Sequence, residues 1–479
     1  MTELSRAAVV DAVRYFDTWL SFRQRYARIP GIQAAVLYGD EVLLSSAYGV
    51  ADLESDSPLT PRHLFRVASH SKTFTATAVL QLVERGSLRL DDTVAQWLPF
   101  LRESPLAEAT VQELLAHGAG VTRDGRDGDH WQLFREFPDE AAVQAMGLDD
   151  ADVLPISDRF KYSNVGYSLL GMVIAAASGQ PYNAYVREHI VDRLELADTG
   201  PEYEPARAGE YATGYSALAY AERRIPIEHV DTAAMAAATG FYSTAEDLVR
   251  YAAGHFHGDE RLLTDTSKRR MQRSQWTTGR DSEYGLGFDV STVGDRRVVG
   301  HGGGYPGHIT NTKLDPVDRL AVSVLTNAID GAAGACVTTF FRLLGLALDP
   351  ADSEPVPEGV DLDRFRGRFA SLWSVTDVAR FGDRLYLLDP TADDPTHEPT
   401  ALTVVDDRTL RMMGENGFGS RGEPMRYTFG DDGIESVRGS SGGTGYPYDR
   451  FAAAAAARDR ITIGRPLIPT TGDRPAGDA

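Results

Sequence analysis

The sequence predicts an α/β chain of the α+β kind: an antiparallel sheet carrying an inserted helical lobe, followed by a small C-terminal antiparallel β-barrel. Three observations carry that expectation. Strand-like segments flank a helix-rich middle, at "GIQAAVLYGDEVLLSSAYGV" (31–50) and again from about residue 284, so one sheet draws strands from distant parts of the chain. The stretch "DPADSEPVPEGVD" (349–361) is proline-rich, acidic and without periodicity, as a boundary between domains would be. Beyond it, short alternating segments recur with Asp and Gly turns between them. The expected organisation is therefore a first domain over 1–350, a linker over 351–358, a barrel domain over 359–455 and an extended or disordered tail over 456–479.

In chain order, "MTELSRAAVVDAVRYFDTWLSFRQRY" places Val9, Val13, Phe16 and Leu20 at helical spacing and reads as an amphipathic helix. It lacks the basic start, apolar run and cleavage site of a signal peptide, so a cytoplasmic location is expected. Two strands then turn at Gly39-Asp40, and "SKTFTATAVLQLVERG" reads as a largely buried helix ending near Gly86. Further helices are expected at 110–117, 140–147, 165–178, 181–192 and 244–254. "YGLGFDVS", "RRVVGHGG", "HITNTKLD" and "RLAVSVLTN" return as strands, and "GACVTTFFRLLGLAL" closes the domain as a helix holding the sole cysteine, Cys336, as a buried thiol. In the last domain "DRLYLLD", "ALTVVD", "TLRMMG", "MRYTFG" and "GIESVRG" read as strands of a barrel or sandwich.

With 42% hydrophobic and 24% charged residues the chain has a globular composition, while 69 acidic against 48 basic residues leave a net charge of −21. That sign argues against nucleic acid or an anionic membrane as the main partner. No run of about 18 apolar residues appears, so no membrane span is expected. Neither a metal-ligand cluster nor a phosphate loop is recognisable, and no cofactor is called for. The expected partner is a small molecule or short peptide as substrate; homo-oligomerisation is left open.

Only four of the 48 basic residues are lysines, namely Lys72, Lys161, Lys268 and Lys313. One of them sits in "FRVASHSKTF", three positions after Ser69, so that on a helix the two side chains share a face. A serine hydroxyl needs a neighbouring base to become a nucleophile, and a desolvated lysine can be that base where arginine, with its higher pKa, cannot. With serine at roughly one residue in fifteen, such a spacing arises by chance for one of four lysines about one time in four. Its weight comes from two further clusters. "FKYSNVGYSLLG" supplies Tyr162 and Asn164 at a loop-to-helix junction, and "VVGHGGGYPGH" supplies His301, Gly302 and Gly303 near a strand end.

Ser69-x-x-Lys72, Tyr162-Ser163-Asn164 and His301-Gly302-Gly303, in this order, resemble the signature of the serine β-lactamase-like hydrolases. The likeness is to the branch with class C β-lactamases, D-aminopeptidases, D,D-carboxypeptidases and related esterases. It extends over about residues 25–348 and includes "YGVADLESDSPLTPRHLFRVAS", "VQELLAHGAGV", "AAATGFYSTAEDLVRYA" and "YGLGF". The resemblance implies that Ser69 is acylated, that Lys72 and Tyr162 shuttle its proton, and that Asn164 holds the substrate amide or the lysine. It further implies an oxyanion hole from the backbone N–H groups of Ser69 and Gly304, with Gly302 and Gly303 leaving room for substrate along the strand. His301 stands where β-lactamases have lysine, which favours esterase or aminopeptidase chemistry over penicillin hydrolysis. Residues 359–455 resemble the lipocalin-like domains appended to some D-stereospecific peptidases of this family.

The implied activity is a metal-independent serine hydrolase of small esters, amides or peptides, with D-amino acid preference open. Acyl transfer through the same intermediate, and a non-catalytic assembly protein, are the alternatives. Around these motifs, His117 and Tyr167 read as structural, and His70 is open between cleft and fold interior. His130 and Trp131 read as part of a surface loop, with a substrate-side lid as the alternative.

Overall fold

The computed structural model describes residues 4–149, 151, 153–349, 355–414, 421–439, 442–463 and 465–468. The chain divides into two compact units, one holding residues 20–341 and the other residues 4–19 and 342–479. The grouping differs from a plain N-terminal and C-terminal division because the start of helix Arg6–Tyr26 belongs with the second unit. There the Tyr15 hydroxyl donates to Asp377 Oδ2 at 3.0 Å and the Trp19 indole donates to the Pro390 carbonyl at 3.2 Å. Half of the expected linker, 351–354, lies outside the described residues, as do 464 and 469–479 of the expected tail.

The first unit is built on a nine-stranded sheet whose pairings are antiparallel. Its order is Ser57–Pro58, Glu41–Asp52, Gly31–Tyr38, Leu320–Thr326, His308–Asp315, Arg296–Tyr305, Asp289–Val293, Ser282–Tyr284 and Trp276–Thr277. The seam between N-terminal and C-terminal strands is the pairing of Ile32 with Thr326 through Tyr38 with Leu320. Gly39, at φ 62°, makes the turn between the first two strands. All seven residues of Leu320–Thr326 are buried, which is why "LAVSVLT" reads as one apolar run rather than an alternation.

Between residues 58 and 276 the chain forms the helical lobe. At its centre, helix Ser71–Glu84 buries every residue from Ser71 to Leu82. Such burial of threonines is tolerated because each finds an acceptor: Thr75 Oγ1 donates to the Ala237 carbonyl at 2.7 Å and Thr77 Oγ1 to the Thr73 carbonyl at 2.8 Å. Helix Asn164–Ser178 packs beside it. Ser163 caps that helix by accepting from the Gly166 N–H at 2.8 Å, and Gly179 ends it at φ 73°.

In the second unit eight strands close into an antiparallel barrel, from Gly367–Ala370 to Thr444–Pro447, with Phe369 opposite Pro447 at the closure. Inward residues such as Phe369, Val378, Leu385, Leu410, Tyr427 and Val437 form its core. The closed barrel settles the choice between barrel and sandwich and fits the lipocalin-like resemblance. Helix Tyr448–Ala456 follows the last strand. Among the described residues, no helix is long and apolar enough to cross a membrane.

Candidate active site

Ser69 lies in a short 3-10 turn, Ala68–His70, that runs directly into helix Ser71–Glu84, which begins where "SKTFTATAVLQLVERG" places it. Ala68 holds φ at 46°, a left-handed conformation that costs a non-glycine residue about 1–2 kcal/mol. Lys72, in the first turn of the α-helix, is fully buried, whereas Ser69 is half-exposed. The Lys72 Nζ lies 3.2 Å from Ser69 Oγ, 2.7 Å from Asn164 Oδ1 and 2.9 Å from the Ala238 carbonyl oxygen. From the other side the Tyr162 hydroxyl donates to Ser69 Oγ at 2.8 Å. Two groups able to move a proton thus meet on one accessible oxygen.

Burial pushes the Lys72 amine well below its ordinary 10.5, with Asp124 pulling the other way. Burial also raises the Tyr162 phenol above its ordinary 10. The two shifts are opposite in direction, so this environment favours a neutral amine and a neutral phenol. The Lys72 Nζ also faces the Tyr162 ring, 4.7 Å from its centroid.

Asn164 is held at both ends. Its Oδ1 accepts from Lys72, and its Nδ2 donates to Asp124 Oδ1 at 2.7 Å. The same Asp124 oxygen accepts from the Trp131 indole at 3.0 Å. Of the two alternatives for Asn164, the geometry is that of a residue holding the lysine. His130 is buried and Trp131 half-buried against Phe137, with ring centroids 5.1 Å apart for the latter pair, so this stretch is a packed support rather than a plain surface loop.

His301, Gly302, Gly303 and Gly304 stand on strand Arg296–Tyr305. Its pairing with Asp289–Val293 ends at Gly300, while pairing with His308–Asp315 continues to Tyr305, so the strand's last residues lack a sheet neighbour on one side among the described residues. The chain just before Ser69 comes up against that edge: a Cβ on Gly303 would stand 2.1 Å from the Val67 carbonyl oxygen. Gly304 is exposed, and a Cβ there would meet only Ile309 Cδ1, at 3.6 Å. His301 is buried, with Nδ1 2.6 Å from the Gly302 carbonyl and Nε2 3.2 Å from the Tyr284 hydroxyl. These partners fit a neutral ring that donates from Nδ1 and accepts at Nε2, and burial lowers its pKa from 6.5.

His70 turns into the fold. Its Nδ1 lies 2.9 Å from the Val67 carbonyl and its Nε2 3.0 Å from Thr312 Oγ1, and burial takes its pKa down to about 3. His117 sits behind Tyr162, ring centroids 4.4 Å apart, and its Nδ1 accepts the Ser163 N–H at 3.1 Å. Tyr167 is buried and donates to the Leu115 carbonyl at 2.7 Å. Asp124, Tyr284 and the Ala238 carbonyl join the cluster without having been singled out from sequence. A carboxylate in a loop and a main-chain oxygen carry no spacing signal of their own.

A helical lobe inserted into an antiparallel sheet, with a serine and a buried lysine where the two meet, defines the class of β-lactamase and penicillin-binding-protein folds. Residues 20–347 match the Beta-lactamase family, and the chain belongs to it. Penicillin-binding protein 4* of Bacillus subtilis (strain 168) is 28% identical over 293 residues, which are 57% of this chain and 62% of that protein. Protein flp of Staphylococcus aureus (strain NCTC 8325 / PS 47) is 23% identical over 324 residues, 66% of this chain and 63% of that protein. The match therefore spans less than two thirds of the length of these relatives.

Among solved structures, the octameric penicillin-binding protein homologue from Pyrococcus abyssi superposes with a TM-score of 0.63 at 22% identity, over 89% of this chain and 98% of that one. SurE gives 0.58 at 24% identity, over 91% and 99%. A D-amino acid amidase from Ochrobactrum anthropi SV3 gives 0.60 at 24%, over 70% and 99%. At these identities the likeness is one of fold.

Proposed function

We propose that the protein is a serine hydrolase that forms an acyl-enzyme on Ser69 and cleaves small esters, amides or short peptides. The observation that carries this reading is the placement of a fully buried Lys72 Nζ 3.2 Å from a half-exposed Ser69 Oγ that also accepts from Tyr162 at 2.8 Å. The Asn164 and Ala238 oxygens take two N–H bonds of a neutral Lys72, which leaves its lone pair toward Ser69. Lys72 then removes the hydroxyl proton as Oγ attacks the substrate carbonyl carbon. The resulting oxyanion is received by the Ser69 and Gly304 N–H groups. Tyr162, kept protonated by burial, delivers a proton to the leaving group and is reprotonated by the proton that Lys72 took from Ser69. Water enters by the reverse relay and releases the acid.

His301 bears on substrate choice. A neutral imidazole offers no net positive charge to anchor a free carboxylate, which supports amides and esters over penicillins or peptides ending in carboxylate. The amidase likeness makes D-amino acid amides the first substrates to try. The octameric Pyrococcus homologue makes a homo-oligomer part of the proposal, to be read by light scattering, where a monomer mass would remove it.

The deciding test is incubation with a fluorophosphonate probe and with p-nitrophenyl esters, D- and L-aminoacyl p-nitroanilides and nitrocefin. The modified residue is identified by mass spectrometry. Labelling at Ser69 and turnover of one ester or anilide class are expected. A folded protein that is neither labelled nor active would move the reading to a structural role.

A further inference from the structure

The proposed oxyanion hole takes its N–H groups from segments far apart in sequence, Ser69 on the turn before the Lys72 helix and Gly304 on strand Arg296–Tyr305. Donors preset for one oxygen must keep their separation, because a misplacement of about 1 Å costs on the order of 10²-fold in rate. Beneath them runs a buried row of hydroxyls that ends on His70.

The Val67 carbonyl has no hydrogen to give, so His70 Nδ1, 2.9 Å away, is the donor. In a neutral ring Nε2 is then the acceptor, and Thr312 Oγ1 donates to it at 3.0 Å. Thr312, having given its hydrogen, accepts from Ser323 Oγ at 2.9 Å. The row therefore runs in one direction, from Ser323 on strand Leu320–Thr326 through Thr312 and His70 to the backbone just before Ser69. Val67, His70, Thr312 and Ser323 are all buried, so water does not compete for these bonds.

A second tie leads to the other donor. Thr310 Oγ1 lies 3.3 Å from His70 Nδ1 and donates to the Gly303 carbonyl at 3.4 Å. Thr310 and Thr312 stand on strand His308–Asp315, where they pair with Gly303 and His301, and the next pair holds Gly304 against Ile309. One imidazole thus meets both the turn that presents the Ser69 N–H and the strands that present the Gly304 N–H. The Val67 carbonyl, 2.1 Å from where a Gly303 Cβ would stand, keeps the two segments from closing further. The His70 ring keeps them from parting.

We propose that His70 is a positioning residue of the active site, whose ring sets the separation of the Ser69 and Gly304 N–H groups. It acts through the backbone and not on the reacting atoms. The inference rests on the acyl-enzyme reading of Ser69.

The test compares the full chain with three variants: His70→Leu deletes both ring bonds, His70→Asn keeps an N–H for the Val67 carbonyl, and Thr312→Val removes the hydroxyl that holds Nε2. Each is assayed for kcat and KM on the ester or anilide that the parent turns over, and for affinity toward phenylboronic acid, whose tetrahedral serine adduct places an oxygen in the hole. His70→Leu is expected to lower kcat by roughly 10²–10³-fold, the cost of a lost oxyanion donor, with KM within about threefold of the parent. Boronate affinity should fall in step with kcat/KM. His70→Asn and Thr312→Val should each cost only about tenfold, and Thr312→Val should add little to His70→Leu because the two act as one unit. The acid limb of kcat/KM, set by Lys72, should stay in place in all of them. If near-ultraviolet circular dichroism shows that His70→Leu does not fold, the other two decide, and unchanged kcat in both would overturn the proposal. So would a folded His70→Leu variant with kcat within about threefold of the parent, a loss confined to KM, boronate affinity unchanged while kcat falls, or a His70→Asn variant no more active than His70→Leu. Any of these leaves the hydrolase reading standing, whereas a parent chain neither labelled at Ser69 nor active removes both.

Discussion

Lys72 is subject to two opposed demands, because the burial that makes its amine a base also removes the water that would stabilise its charge. Asp124 moderates the conflict: it raises the Lys72 pKa and, through Asn164, fixes the oxygen that faces the amine. Lys72→Arg keeps a charge but loses the base, so kcat should fall by about 10²–10⁴-fold with the fold retained, as steady-state kinetics and circular dichroism would show. Asp124→Asn keeps an acceptor for Asn164 and Trp131 while deleting the negative charge. Activity that depends on neutral Lys72 rises with pH through its pKa, so the acid limb of the kcat/KM profile should move to lower pH in this variant. An unmoved limb would mean that another group titrates there. Ser69, Lys72, Tyr162, Asn164 and His301 were legible because motif spacing places them. Asp124 was not, since its role lies in a contact across 40 residues of chain to Asn164.

At the level of elements, the glycines of strand Arg296–Tyr305 separate two kinds of constraint. Gly303 admits no Cβ because the Val67 carbonyl already occupies that space, whereas Gly304 has room for one. Gly303→Ala is therefore expected to lower unfolding free energy by about 2–3 kcal/mol in urea titration and to reduce activity, and Gly304→Ala to stay within about 0.5 kcal/mol of the parent. The main sheet and the long helices could be read from hydrophobic period, but nothing in "VASHSK" announces the 3-10 turn that precedes the Lys72 helix or the left-handed Ala68. In the barrel, five strands were foreseen and three were not. Gly367–Ala370 opens on glycine, and Thr444–Pro447 holds Gly445 and Pro447, residue types depleted in strands, so neither announces itself. Val375–Phe381 hides its pattern behind a buried Asp377 that pairs with Arg368 at 2.7 Å. A charge satisfied by a partner on another strand looks, in sequence, like a solvent-facing one.

Across the whole molecule, buried histidines set the acid limit of stability. Burial holds His70 and His255 at about 3 and His229 at about 4, against 6.5 in an unfolded chain. His117 and His308 shift the same way. Below 6.5 the unfolded chain takes up protons that the folded one refuses, so their contribution is complete above that value and is lost as pH falls toward the folded pKa values. Glu202, Asp247 and Asp377, raised by burial, oppose this in part. The urea midpoint should consequently fall between pH 7 and 5, each histidine contributing up to about 1.4 kcal/mol per pH unit. A flat midpoint would contradict neutral burial. The scarcity of lysine has a different kind of consequence. Lys72 and Lys268 are fully buried and Lys161 and Lys313 half-buried, so an electrophilic acyl donor meets almost no ready side-chain amine on the surface. The mass added to the intact chain by such a donor can then be counted as occupancy of a single nucleophile, with little background to subtract.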